Sequence, residues 1–88
     1  MEKETCTSKK LIKFLEEIKE RYDTGGVWIS EKMGRRWSFY CGIQPFLLLP
    51  PASFPLDDRF ALFCEKPENL KRDIEKIKAK LRELLYEN

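Results

Sequence analysis

The residues of this chain that could do chemistry are carboxylates in adjacent pairs, Glu16-Glu17 and Asp57-Asp58, and the chain has no histidine. Histidine is the commonest general base and the usual activator of a serine or cysteine nucleophile. Adjacent residues on a helix point in different directions, so Glu16 and Glu17 do not converge on one substrate atom. A carboxylate pair at the end of a loop is more typical of a turn. We therefore predict no catalytic residues and no enzyme activity.

Metal and phosphate binding also lack a ligand pattern. Cys6, Cys41 and Cys64 are too widely separated for a recognisable zinc site, and no histidine accompanies them. Gly25-Gly26 and Gly34 do not form the Gly-x-x-x-x-Gly-Lys pattern of a phosphate-binding loop, and we interpret them as turn glycines. We predict no metal, no cofactor and no small-molecule substrate, and we expect reduced thiols.

Composition predicts one folded domain in the cytoplasm. The chain has 88 residues, 42% of them hydrophobic, which suits a single core. Its net charge of +2 is too small to attract nucleic acid or anionic lipid over a distance, so a basic patch would have to be local. Met1 to Lys10 lacks the apolar segment of a secretion signal, and no apolar run approaches the roughly 20 residues of a membrane span. We expect a flexible polar tail over residues 1–7, one domain over residues 8–88, and no membrane contact.

Two amphipathic helices are predicted. Ser8 is a typical N-cap for a first helix from about Lys9 to Tyr22. The segment Asp23-Thr24-Gly25-Gly26 would end this helix, because its paired glycines supply left-handed backbone geometry. The second helix is expected from about Pro67 to Tyr86. Their apolar stripes predict packing on a sheet of the same chain, although the spacing would also suit a coiled-coil dimer. The stripes are Leu11, Leu15, Ile18 and Tyr22, and then Leu70, Ile74, Ile77, Leu81 and Leu84.

Three strands are predicted between these helices. Val27 to Ser30 and Arg36 to Ile43 are rich in aromatic and β-branched residues and would form a hairpin with Gly34 in its loop. A third strand fits Arg59 to Glu65. The predicted fold is a single small α+β domain of order α-β-β-β-α, whose three-stranded, mainly antiparallel sheet carries both helices on one face.

The segment QPFLLLPPASFP, Gln44 to Pro55, is unusual because it places consecutive large apolar residues between prolines. In one interpretation it folds back as a lid on the sheet, and residues 46–49 could pair as a short fourth strand. In the other it is a docking element, whose prolines lower the entropy lost on binding.

Alternation along the strands predicts a second, open face of the sheet. Trp37, Phe39 and Cys41 form the apolar row of the second strand and are assigned to the core. The opposite rows would then expose aromatic rings where no helix covers them, which is typical of a contact site. We therefore predict a non-catalytic protein–protein interaction module that binds another protein or forms a homodimer. The predicted partner-binding residues are Trp28, Tyr40, Phe63, Phe46, Leu47, Leu48, Leu49 and Phe54.

Nucleic-acid binding is the alternative function. Helix-strand-strand-strand-helix is the element order of double-stranded RNA-binding domains, and exposed rings could instead stack the bases of a single strand. Lys32, Arg35 and Arg36 at the hairpin tip, together with Arg59, would contact the phosphates of RNA or DNA.

Overall fold

The computed structural model describes residues 8–45 and 49–86. Residues 1–7, the predicted tail, lie outside this part of the chain. The elements are α1 (Lys9–Tyr22), β1 (Val27–Met33), β2 (Arg36–Ile43), β3 (Ala52–Pro55), β4 (Phe60–Cys64) and α2 (Ile74–Leu85), with a 3-10 turn, Lys71–Asp73, before α2. The predicted α+β class and the two helices on one sheet are confirmed.

The sheet has four antiparallel strands in the order β2-β1-β4-β3. The fourth strand is β3, which lies further along the chain than the predicted position over residues 46–49. Three of those residues, 46–48, lie outside the described part of the chain. Within β3, Phe54 pairs with Leu62, which is fully buried in the core, so β3 adds apolar contact to the sheet as well as ladder hydrogen bonds.

Helix α1 forms over the predicted residues, but its left-handed capping residue differs. The Ser8 hydroxyl accepts the N–H of Leu11 at 3.2 Å and so caps the first turn. The left-handed residue that ends the helix is Asp23, with φ of 53°, and not the Gly25-Gly26 pair. Aspartate tolerates this conformation because its short polar side chain can hydrogen-bond locally.

Helix α2 begins later than predicted, at Ile74 rather than near Pro67. The intervening segment turns instead, with the N–H of Leu70 donating to the carbonyl of Pro67 at 3.1 Å. This turn places Leu70 fully inside the core. The amide of Asn69 donates to the carbonyl of Tyr22 at 3.1 Å, so the segment also satisfies the exposed end of α1.

Both helices pack on the same side of the sheet, which we call the helix side. Buried residues of α1 and α2 form one core cluster with alternate residues of β1, β2 and β4. Burial of apolar side chains is the main stabilising term for a domain of this size. The strand residues that join this cluster from the helix side of the sheet are Val27, Ile29, Cys41, Phe60, Leu62 and Cys64.

Asp57 organises the turn between β3 and β4 and connects it to α2. Its Oδ1 accepts the backbone N–H groups of Arg59 and Phe60, each at 2.8 Å, and its Oδ2 accepts the hydroxyl of Tyr86. Partial burial alone would raise the pKa of Asp57. The hydrogen bonds from Tyr86 and the two N–H groups outweigh it, so the pKa is lowered.

We expect the Asp57→Asn variant to lose part of the acid dependence of stability. Because the folded-state pKa of Asp57 is lowered, its carboxylate adds stability that is fully present above the ordinary pKa of 3.8 and is lost as the pH falls through the folded value. Melting temperatures measured from neutral to strongly acidic pH should therefore fall less steeply for the variant. Asp58→Asn, at the exposed neighbour, should follow the wild-type curve. Equal slopes for wild type and Asp57→Asn would contradict this account.

Candidate functional site

A β-bulge in β2 decides which of its side chains face the helices. The register between β1 and β2 is regular as far as Ile29 and then shifts by one. Ser30 pairs with Phe39, so Tyr40 is an extra residue in the ladder. An extra residue moves the side chains before it to the opposite face. Trp37 and Phe39 therefore lie on the side away from the helices, and their assignment to the core is wrong.

Aromatic rings line this second side, which we call the open side. The rings of Trp28 and Phe63, on neighbouring strands, stack with centroids 5.8 Å apart and planes inclined by 11°. Trp37 meets Phe63 edge to face, with centroids 5.6 Å apart. Phe39 lies two residues beyond Trp37 on the same side of β2. We call Trp28, Trp37, Phe39 and Phe63 the aromatic patch.

The aromatic patch is not covered by either described helix, whose buried residues all join the cluster on the helix side. The indole of Trp37 is the most open of the rings, with 47% of that residue exposed, and the other three residues are half-buried. Ser30 and Ala61, the small residues in the same rows, are buried. Trp28, Trp37 and Phe63 therefore support one another, and Phe39 adds a further ring to the same side of a sheet face that is normally polar.

Two predicted members of the surface lie on the helix side instead. The ring of Tyr40 packs edge to face on the core residue Phe60, with centroids 5.0 Å apart. Phe54 packs against the core cluster. Of the predicted surface rings, Trp28 and Phe63 do share the open side, and Trp37 and Phe39 take the place expected for Tyr40.

The proline-bounded loop is described only at its two ends. The predicted residues Phe46, Leu47 and Leu48 lie outside the described part of the chain. Leu49 is 44% exposed, and its backbone N–H donates to Oε2 of Glu65 at 2.9 Å. The role of the loop as lid or docking element stays a prediction.

The predicted basic residues are distributed over different surfaces. Lys32 pairs with Trp37 in the ladder and lies on the open side. Arg36 pairs with Met33 and lies on the helix side, while Arg35 occupies the turn after Gly34. The hairpin end is therefore basic, but its positive charges point in different directions.

Arg59 is bound within the domain. Its guanidinium forms a salt bridge with Glu31 at 2.6 Å and lies 4.9 Å from the centroid of the Phe60 ring. The hydrogen bond to Glu31 raises the pKa of Arg59. Arg59 is therefore engaged on the helix side and does not join Lys32.

Glu65 is a buried carboxylate that no pattern in the sequence indicates. Its Oε1 accepts the N–H of Gly26 at 2.6 Å, and its Oε2 accepts the N–H of Leu49. Its own backbone N–H donates to the carbonyl of Gly26 at 2.9 Å. One side chain thus joins the start of β1, the end of β4 and the loop after β2.

The paired glycines before β1 provide room for this carboxylate. A Cβ atom at Gly25 would lie 2.3 Å from Oε1 of Glu65, and one at Gly26 would lie 2.5 Å from Cα of Pro45. These glycines therefore allow close packing, which is a different reason from the turn geometry predicted for them. The Gly25-Gly26 pair was the sequence signal for this close packing. Glu65, the residue that the pair accommodates, is distant in the chain.

The described cysteines offer no reactive thiol. Cys64 is buried, and its burial raises the pKa to about 12, so the thiol stays protonated. It donates to the carbonyl of Glu65 at 3.1 Å. Cys41 is disulfide-bonded, so the expectation of reduced thiols is wrong at this position.

A groove of about 300 Å³ lies between α1 and α2. Charges of both signs line it, and the Tyr22 hydroxyl at its edge donates to Asp73 at 2.7 Å. This hydrogen bond raises the pKa of Tyr22, so the hydroxyl remains neutral. We assign no chemistry to this groove.

Comparison with protein-family models, curated proteins and solved structures finds no match to this chain. Residues 8–45 and 49–86 include no group of histidine, cysteine or carboxylate side chains that could hold a metal ion. None of the helices in those ranges is long and apolar enough to cross a membrane. The contacts of Trp28 and Trp37 with Phe63 on the open side make the aromatic patch the candidate site.

Replacing Glu65 tests its structural role. The Glu65→Ala variant leaves the N–H groups of Gly26 and Leu49 without their acceptor, and we expect it to lose about 3 kcal/mol of unfolding free energy in urea denaturation. Glu65→Gln keeps one acceptor oxygen and should lose less. Glu68→Ala, at an exposed position, should change stability by less than about 0.5 kcal/mol. Equal stability of the Glu65 and Glu68 alanine variants would refute the role of this carboxylate.

Proposed function

We propose that the protein is a small non-catalytic binding module that docks another protein on its aromatic patch. The observation that carries this proposal is the contact of Trp28 and Trp37 with the central Phe63 on a sheet face that no described helix covers. Aromatic rings held by one another lose little side-chain entropy on binding, and large aromatics dominate the energetics of protein interfaces.

The chemistry of the patch indicates the kind of partner. Its centre is apolar, while Lys32 lies beside Trp37 at its rim. A matching surface would present apolar side chains with a carboxylate at the edge. The partner we propose is therefore a folded protein surface of that character, bound chiefly by burial of the rings.

A non-catalytic role is supported by the lack of histidine and by the state of the Cys64 thiol. The sequence has no histidine, and burial holds the pKa of the Cys64 thiol near 12. A nucleophile needs an adjacent base or a lowered pKa to react at neutral pH.

Nucleic-acid binding is kept as a second candidate because Lys32 and Trp37 are neighbours on the open side, close to the exposed turn residue Arg35. Base stacking requires free ring faces. Trp28 and Phe63 turn one face of each ring towards the other, which reduces the area open to a base. We therefore favour a protein partner over a nucleic acid.

The cytoplasm is the compartment we propose, and the free thiol of the buried Cys64 supports it. The disulfide at Cys41 is the observation against it, since such bonds are rare in reducing compartments.

The test compares capture of partners by immobilised wild type, Trp37→Ser and the control Met33→Ser. Met33 is an exposed apolar residue at the same hairpin end, but on the helix side. We expect a protein species that wild type and Met33→Ser retain and Trp37→Ser loses, at low and high salt alike. The species is then purified and titrated against all three proteins, and a thermal melt checks that each variant is folded.

Other outcomes separate the candidates. Retention that nuclease abolishes, and that weakens steeply with salt, would establish nucleic-acid binding instead. Equal retention by wild type and Trp37→Ser would overturn the aromatic patch as the docking surface.

A further inference from the structure

The two edge strands of the sheet differ in their capacity to pair with another chain. β3 is short, follows Pro50-Pro51 and ends in Pro55, and proline lacks the N–H needed for a ladder. β2 has eight residues without proline, and within the described chain it pairs only with β1. The outer edge of β2 is therefore the edge that can accept a further strand.

The backbone hydrogen bonds of β1 show which residues of β2 direct their N–H and C=O groups away from the sheet. The N–H of Lys32 donates to the carbonyl of Arg59, on the β4 side, at 2.7 Å. The backbone N–H and C=O groups of successive residues point towards opposite neighbouring strands. The backbone groups of Glu31 therefore point towards β2, where Glu31 forms a hydrogen-bonded pair with Ser38. The backbone groups of Ser38 are therefore used within the sheet, and those of its neighbours Trp37 and Phe39 face outwards.

The outer edge of β2 is complementary to itself. If a second copy pairs antiparallel with the dyad at Ser38, Trp37 lies opposite the second copy's Phe39, and these two residues exchange backbone hydrogen bonds. Both rings are on the open side, where aromatic cross-strand pairs are favourable. Arg36 lies opposite the second copy's Tyr40 on the helix side, where a cation can contact the ring. No like charges are placed opposite each other.

The β-bulge sets the limit of this pairing. The side chains alternate regularly from Arg36 to Tyr40, and the bulge interrupts the alternation before Cys41. We propose that the protein forms a symmetric dimer by antiparallel pairing of β2 with β2 of a second copy, centred on Ser38. The inference rests on the proposed function, because it names a second copy as one partner of this surface and extends the aromatic patch across the dyad.

The test introduces charges of either sign at the dyad, where residue 38 of one copy lies opposite residue 38 of the second copy. Ser38 is exposed on the helix side, outside the aromatic patch. Wild type should show the mass of two chains in sedimentation over a dilution series. Ser38→Lys alone and Ser38→Glu alone should each weaken dimerisation by about tenfold or more, because like charges meet. An equimolar mixture of the two variants should recover the dimer.

The matched control is Ser53→Lys, the same change on the other edge strand, which should leave the dimer intact. Circular dichroism and thermal melting confirm that each variant is folded. A monomeric wild type, a dimer that tolerates Ser38→Lys, or a mixture that stays monomeric would each overturn the strand pairing. If pairing fails while Trp37-dependent capture persists, the proposed function stands alone. If capture fails while the Ser38 variants behave as expected, the dimer stands and the proposed function falls.

Discussion

The extra residue Tyr40 in β2 is the constraint on which the surfaces of this domain depend. Cys41 is buried on the helix side, and strict alternation from it would place Phe39 and Trp37 beneath the helices as well. The bulge turns both residues to the open side and brings Trp37 against Phe63. The aromatic patch is therefore a consequence of one register shift, and not simply of the aromatic content of the chain.

The buried carboxylate of Glu65 holds the other end of the sheet. Removing a polar side chain from water costs free energy unless hydrogen-bond donors compensate for the lost solvent. Two backbone N–H groups, from Gly26 and Leu49, supply that compensation and simultaneously fix where β1 starts and where the loop returns. Since Trp28 is the second residue of β1, the position of its ring depends on this anchor. The bulge and the carboxylate thus position the aromatic patch from opposite ends.

Local signals in the sequence predicted the elements better than the surfaces. The N-cap at Ser8 and the apolar spacing of α1 gave its bounds, and the α+β class followed from the order of helices and strands. The bulge escaped prediction because register depends on the partner strand, which alternation within β2 cannot reveal. The start of α2 was misplaced for a similar reason, since the contact of Asn69 with Tyr22 joins residues distant in the chain. Glu65 resembles an ordinary charged residue at a strand end until the fold brings Gly26 to it.

The open side of the sheet and the outer edge of β2 meet at Trp37. The side chain of this residue lies on the open side, and its backbone groups lie on the outer edge. A long regular edge would invite continued addition of strands and aggregation. Here the bulge ends the regular stretch after Tyr40, and prolines block the opposite edge at β3. A pair of antiparallel β2 strands would use up the accepting edge in both copies, because an isologous contact closes on itself. The features that leave the surface open therefore also limit the assembly that it can form.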